Sequence, residues 1–153
     1  MDQAYSCKRL APSDITIMKG LLAVFGAAFE DVPTYQGNIP SDAYLSARLG
    51  DGNCIVIVAQ HRDAVVGGLV ANVLHKLEQE PSEIYLYDLA VDERHRRQGI
   101  ATRLIEELRT VGKRLGAYVI FVQADAVDEP AIKLYESLSE EKESPYHFDI
   151  LVD

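Results

Sequence analysis

The sequence predicts an α/β (α+β) fold, a mixed central sheet flanked by helices, formed by one continuous domain over residues 1–153. Three observations carry this. Strand-like and helix-like segments follow one another in the order β-α-α-β-β-β-α-β-α-(β)-β. A strand-like run over 84–90 passes through a short basic turn and a glycine into an amphipathic helix. The 153 residues, 48% apolar and 25% charged, suffice for one buried core, and no linker, repeat or low-complexity segment interrupts them.

Each element has a local reason. Residues 4–9 read as a first strand. Ser13 offers an N-cap to a helix whose Ile15, Met18, Leu21, Leu22, Phe25 and Phe29 recur at helical spacing. Residues 30–40 read as loop, punctuated by Pro33, Gly37 and Pro40. Ser41 starts a second helix containing Tyr44, Leu45 and Leu49. A buried strand over 53–60, a hairpin turn at 61–63 and a returning strand over 64–75 follow. Gly67 and Gly68 inside that strand predict a bulge or a close backbone approach. The fourth strand is 83–91, and the long helix is 99–115, with Leu104, Ile105, Leu108 and Leu115 inward. A fifth strand (117–124), a helix (130–137) and a last strand (146–152) complete the chain; 138–142 is left open between strand and loop.

Composition excludes several classes. No apolar run approaches a membrane span, and Met1-Asp2-Gln3-Ala4-Tyr5 lacks a signal peptide's layout, so a cytoplasmic location is expected. Cys7 and Cys54 fit no metal or redox spacing, and Cys54, inside an apolar run, is expected to pack as a core residue. The four histidines are scattered, so neither a metal site nor a Cys/His nucleophile is expected. The net charge of −9 argues against a nucleic-acid partner. Its distribution is uneven. Residues 92–114 hold seven Lys/Arg against four Asp/Glu, whereas 124–153 hold nine Asp/Glu against two Lys. A basic loop suits a phosphorylated cofactor, and an acidic remainder draws a cationic substrate.

The turn is the richest segment. The first N–H groups of a helix lack intrahelical partners and favour an anion. Gly99 lets a phosphate approach the backbone, and Ala101 keeps the next turn slim. Anchoring of an anion is expected from Arg96, Arg97, Gln98, Gly99, Ile100, Ala101 and Thr102, mainly through backbone N–H groups, with Arg97 as a charge contact and Arg96 equally able to point to solvent. Along the fourth strand, alternation puts Glu83, Tyr85, Tyr87 and Leu89 on one face and Ile84, Leu86, Asp88 and Ala90 on the other. Asp88 is therefore a carboxylate on an apolar face unless a bulge re-aims it.

Arg96-x-x-Gly99-x-Ala101 resembles the R/Q-x-x-G-x-G/A signature of the GNAT acetyltransferases, whose loop grips the pyrophosphate of acetyl-CoA, and the element order resembles their fold over nearly the whole chain. The resemblance implies a bulged fourth strand splayed from the fifth, with the pantetheine between them. It places backbone N–H groups near Leu89, Ala90 and Val91 on the pantetheine and thioester oxygen. It also makes Glu83 and Asp88 the candidates to bind or deprotonate the acceptor amine. Ala131-Ile132-Lys133-Leu134-Tyr135-Glu136-Ser137-Leu138 resembles the second motif, A-x-x-L-Y-x-x-L-G-F, which implies that Tyr135 contacts the cofactor and protonates the leaving thiolate. The motif's Gly-Phe is replaced here by Ser139-Glu140.

Within the superfamily, the strings 82–91, 95–101 and 115–125 and His147-Phe148-Asp149-Ile150 resemble the aminoglycoside 3-N-acetyltransferases of the gentamicin-resistance type. That resemblance implies a small cationic amine as substrate, antibiotic resistance as outcome and a homodimer as assembly. A carboxylate-rich acceptor site is then expected from Tyr35, Glu83, Tyr87, Asp88, Asp125 and Asp149, with Glu30 and Asp31 beside Tyr35 on the opposite wall and Asp128, Glu129, His147 and Asp149 forming an acidic rim. Direct transfer in a ternary complex is expected, because no Cys or Ser has a base partner in these motifs. A polyamine acetyltransferase and a non-catalytic acetyl-CoA-sensing module are the competing readings.

Overall fold

A computed structural model describes residues 4–153. Met1, Asp2 and Gln3, on which the reading of the N-terminus partly rests, lie outside the described residues. The chain divides into a first unit that runs to Gln123 and a second unit, Ala124–Asp153.

The first unit is built on a five-stranded sheet in chain order: β1 (Tyr5–Arg9), β2 (Cys54–His61), β3 (Ala64–Leu74), β4 (Ser82–Val91) and β5 (Ala117–Val122). The first three pairings are antiparallel and β4–β5 is parallel. Helices α1 (Ile15–Ala28), α2 (Val32–Gln36) and α3 (Asp42–Gly50) precede the β2–β3 hairpin, and α4 (Ile100–Arg114) crosses over from β4 to β5. On one face Met18, Leu21, Phe25, Leu45 and Leu49 of α1 and α3 pack with Val56, Val58 and Ala90. On the other, α4 lies so close that a Cβ on Gly112 would come within 2.8 Å of Ile84 Cδ1. Leu104 and Leu108 of that helix are fully buried, as the spacing required.

Three register shifts interrupt the ladders among the described residues, one of them on β5, where Ser82 pairs with Ala117 but Glu83 with Val119, so Tyr118 is the extra residue. Ala59 pairs with Gly67 but Gln60 with Val65, so Val66 is the extra residue on β3. Val70 pairs with Asp88 but Ala71 with Leu86, so Tyr87 is the extra residue on β4. Gly68 supplies the close approach its sequence suggested: a Cβ there would sit 2.5 Å from Leu21 Cδ1.

Several boundaries differ from expectation. The N-cap of α1 is Asp14, not Ser13, and its carboxylate accepts from the Ala11 N–H (2.7 Å) and Lys8 (2.8 Å) rather than from the helix. The stretch 30–40 contains α2, because Pro33 falls in the first turn, where its missing N–H costs nothing, and Asp31 caps the Thr34 N–H. Leu115 is the C-cap of α4 and 40% exposed instead of inward. Cys54 packs against the core, as expected of it, but stays half-buried. β5 ends at Val122, two residues short of the expected 117–124.

In the second unit, α5 (Glu129–Leu138) is capped by Asp128, which accepts from the Ala131 N–H at 3.2 Å. The expected strand over 146–152 is not formed, and 138–142 adds none. Tyr146, Phe148, Ile150 and Val152 are exposed. Alternation alone does not make a strand; the backbone needs a paired edge, and among the described residues none pairs with this segment. No helix among the described residues is long and apolar enough to cross a membrane.

Candidate functional site

The turn after β4 is anchored from below. The Asp92 N–H donates to Val66 O at 2.7 Å, which ties it to the bulge on β3. The Asp92 carboxylate accepts from Arg94 Nε (3.2 Å), Arg94 Nη2 (3.0 Å) and the Arg94 N–H (2.9 Å). The Arg94 side chain and backbone bonds hold this carboxyl down at about 2. A single 3-10 turn, Glu93–His95, follows. Arg97 (φ 61°) and Gly99 (φ 75°) are both left-handed. Left-handed residues alternating with right-handed ones are the backbone conformation in which neighbouring N–H groups can form an anion-binding concavity.

Gly99 is also the N-cap of α4, no side chain caps that terminus, and the space a Cβ would take is open. Ile100 is buried and roots the helix, while Arg96, Arg97, Gln98, Gly99 and Thr102 are exposed and Ala101 is partly covered. Arg96 turns back, donating from Nε to Val91 O at 3.2 Å, so it braces the strand end; Arg97 carries the loop's outward charge. These backbone and side-chain features fit a diphosphate.

β4 leads into this loop with one flank bare. Its pairing with β5 ends at Leu86–Val122, so among the described residues no strand covers that flank of Tyr87, Asp88, Leu89, Ala90 and Val91. Their backbone groups offer a ladder to an extended, amide-bearing ligand such as a pantetheine arm. The parting begins where Tyr87 bulges.

That bulge also settles which way Asp88 points. Val70, its partner, packs against the α1 and α3 core, and Gly68, partner of Ala90, lies under Leu21. Ile84 and Leu86 stay on the α4 face, and the extra residue moves Asp88 and Ala90 to the opposite one. Simple alternation had put all four together; the extra residue overturns it. Asp88 is half-buried, and burial raises its pKa above the usual 3.8, partly offset by a hydrogen bond from Tyr35. Tyr35 is itself raised, first by burial and then by the Asp88 charge. Its ring is set by Phe25 (5.9 Å) and Phe29 (5.6 Å) across α1 and α2.

Glu83 is differently placed. Its carboxylate accepts from the Tyr118 hydroxyl at 2.7 Å and Lys76 Nζ at 2.9 Å. Those two bonds lower its pKa, which makes it the weaker proton acceptor of the pair. Lys76 and Tyr118 were not anticipated as its partners; neither carries a motif, and only the β4–β5 pairing brings Tyr118 alongside. Between the carboxylates lies an aromatic group, with Tyr85 stacked on Phe121 at 4.8 Å and Tyr87, 62% exposed, edge-on to Tyr85 at 5.7 Å.

Six expected residues belong to the second unit: Tyr135, Asp125 and Asp149, with Asp128, Glu129 and His147 of the rim. Tyr135 sits on α5, half-buried, where burial and the Asp128 carboxylate push it up to about 12. Asp125 is exposed in the turn before α5, and Asp149 is exposed and 3.0 Å from His147 Nε2. No group of three metal-ligating side chains occurs among the described residues.

Residues 22–139 match the model of the acetyltransferase (GNAT) family. The chain is similar to the crystal structure of an aminoglycoside acetyltransferase, HMB0005, from an uncultured soil metagenomic sample (49% identity, 99% of this chain and 100% of that one, TM-score 0.95). It is also similar to the aminoglycoside acetyltransferase meta-AAC0020 from an uncultured soil metagenomic sample, solved with sisomicin (33% identity, 98% and 99% covered, TM-score 0.86). A comparison with curated proteins finds no match.

Proposed function

Because the chain belongs to the acetyltransferase (GNAT) family, and so takes acetyl-CoA, we propose that it acetylates an aminoglycoside, at the 3-amino group. The observation that carries the reading is the half-buried, re-aimed Asp88 beside the bare flank of β4, which runs straight into the anion loop. The two soil relatives at 49% and 33% identity support the acceptor class, and the resemblance to the gentamicin-resistance type supports the position. Acetylation of that amine would confer resistance, and the same resemblance supports a homodimer.

Acetyl-CoA supplies the acetyl group as an activated thioester. Loop N–H groups around Arg97 and Gly99 would hold its diphosphate, and the bare N–H groups of β4 near Leu89 and Val91 would polarise the thioester oxygen. Asp88 takes the proton that the acceptor's ammonium must lose before attack; a carboxylate raised by burial is better suited to this than Glu83, which the Tyr118 and Lys76 hydrogen bonds hold ionised. Glu83, Tyr35 and Tyr87 then orient the polycation, with Asp125 and Asp149 as further acidic contacts. Tyr135 is assigned the proton for the departing sulfur on its motif; at about 12 its phenol is protonated throughout the working range.

Thiol release from acetyl-CoA, with gentamicin in one well and spermidine in another, tests the reading. Saturable turnover with gentamicin alone, and a product acetylated at the 3-amino group by NMR, is expected. Turnover with spermidine alone would move the assignment to a polyamine enzyme, and cofactor binding without turnover on any amine would leave a sensing module. Sedimentation equilibrium checks the dimer.

A further inference from the structure

One residue far from the loop in sequence touches both of its ends. Tyr5, on the edge strand β1, forms a hydrogen bond through its hydroxyl with His95 Nδ1 at 2.9 Å. Its backbone carbonyl accepts from Arg103 Nη1 at 2.8 Å. His95 immediately precedes Arg96, and Arg103 lies in the first turn of α4, two residues beyond Ala101. The left-handed residues Arg97 and Gly99 fall between these two fixed points.

Tyr5 is itself held. His61, its partner on β2, packs against it at 5.1 Å, stands 5.5 Å from the His95 ring and bonds through Nδ1 to Ala4 O at 3.0 Å. Tyr5 meets His95 edge-on at 5.7 Å. The result is a three-ring brace between the sheet edge and the entrance to the loop.

We propose that Tyr5 is a positioning residue for the cofactor's diphosphate, pinning both ends of the 96–102 loop to β1 so that its N–H groups stay converged. The inference rests on the acetyl-CoA reading of that loop. A non-glycine residue at positive φ, as Arg97 is, persists only where its surroundings over-determine it, and within the loop the contacts are few: Arg96 to Val91 O is its side-chain tether. A loop ordered before the ligand arrives loses less freedom on binding, so the brace acts on affinity rather than on the chemical step.

Calorimetric titration with coenzyme A tests this on the full chain. Tyr5→Phe removes the hydroxyl bond and keeps the ring, and Arg103→Met removes the second tether. Each is expected to weaken coenzyme A binding by about threefold to tenfold, the range of one modest hydrogen bond. Turnover at saturating acetyl-CoA and the KM for the acceptor should hold at wild-type values. His95→Asn, which keeps an acceptor near the Nδ1 position, should retain more affinity than His95→Leu. Wild-type affinity in Tyr5→Phe and His95→Leu alike would overturn the proposal and leave the acetyl-CoA reading standing. So would a loss of affinity matched by equal losses in acceptor KM and melting temperature. Wild-type protein that fails to bind coenzyme A would overturn both.

Discussion

Two aspartates four residues apart at the end of β4 are driven in opposite directions. Asp92, at the start of the anion loop, is gripped by Arg94 and held at about 2. Asp88, beyond the bulge, is half-buried with one phenol to stabilise its charge, and is raised. Both are aspartates: burial raises Asp88, whereas the Arg94 hydrogen bonds lower the less buried Asp92. Asp92 is a permanently charged structural clasp. Asp88 is a carboxylate for which gaining a proton is comparatively easy, which is what a base in acyl transfer requires.

The strongest way to break this contrast is Asp88→Asn. Loss of about 10²- to 10⁴-fold in kcat/KM is expected, with coenzyme A affinity unchanged by calorimetry. The same variant should melt higher than wild type at neutral pH, because a raised carboxylate destabilises the fold once it ionises. That gain should vanish as pH falls below the raised value toward 3.8, where the wild-type group is itself protonated. A lower melting temperature at neutral pH would make Asp88 structural.

Next in size is Gly99→Ala in the other region. A Cβ at φ 75° costs about 1–2 kcal/mol, so coenzyme A binding should fall by about tenfold while the acceptor KM stays put. Tyr35→Phe sharpens the contrast by pH. Without its hydrogen bond Asp88 rises further, so the acidic limb of kcat/KM should move to higher pH, whereas Glu83→Gln should leave that limb in place. The smallest effect belongs to Asp92→Asn. A pair whose guanidinium lies in water stabilises the fold only slightly. Urea unfolding should show that loss above pH 3.8 and show it disappearing as pH drops through about 2, since a lowered carboxylate stabilises only while ionised.

The sequence made the loop legible and left the facing carboxylate ambiguous, for reasons of range. Gly99, the basic turn and the buried stripe of Leu104 and Leu108 are local, so spacing alone reveals them. The direction of Asp88 depends on how Val70 and Ala71 of β3 register against it, and no pattern within β4 encodes that slip. Lys76 and Tyr118 flank Glu83 for a similar reason, through pairings between separate strands. Pro33 misled in another way: it reads as a breaker, yet in a first turn it starts α2, the helix that carries Tyr35. The 146–152 segment shows the converse, an alternation with no edge to complete it.

The bare flank of β4 has a consequence for how such an enzyme changes over generations. A donor read by main-chain N–H groups is indifferent to which side chains stand on the strand. Under the proposed function, replacing Tyr87 would reshape what the acceptor meets and leave the donor's ladder intact. Donor recognition is thereby sheltered from drift while acceptor range is exposed to it, so new amines can be explored one substitution at a time without losing the acetyl source.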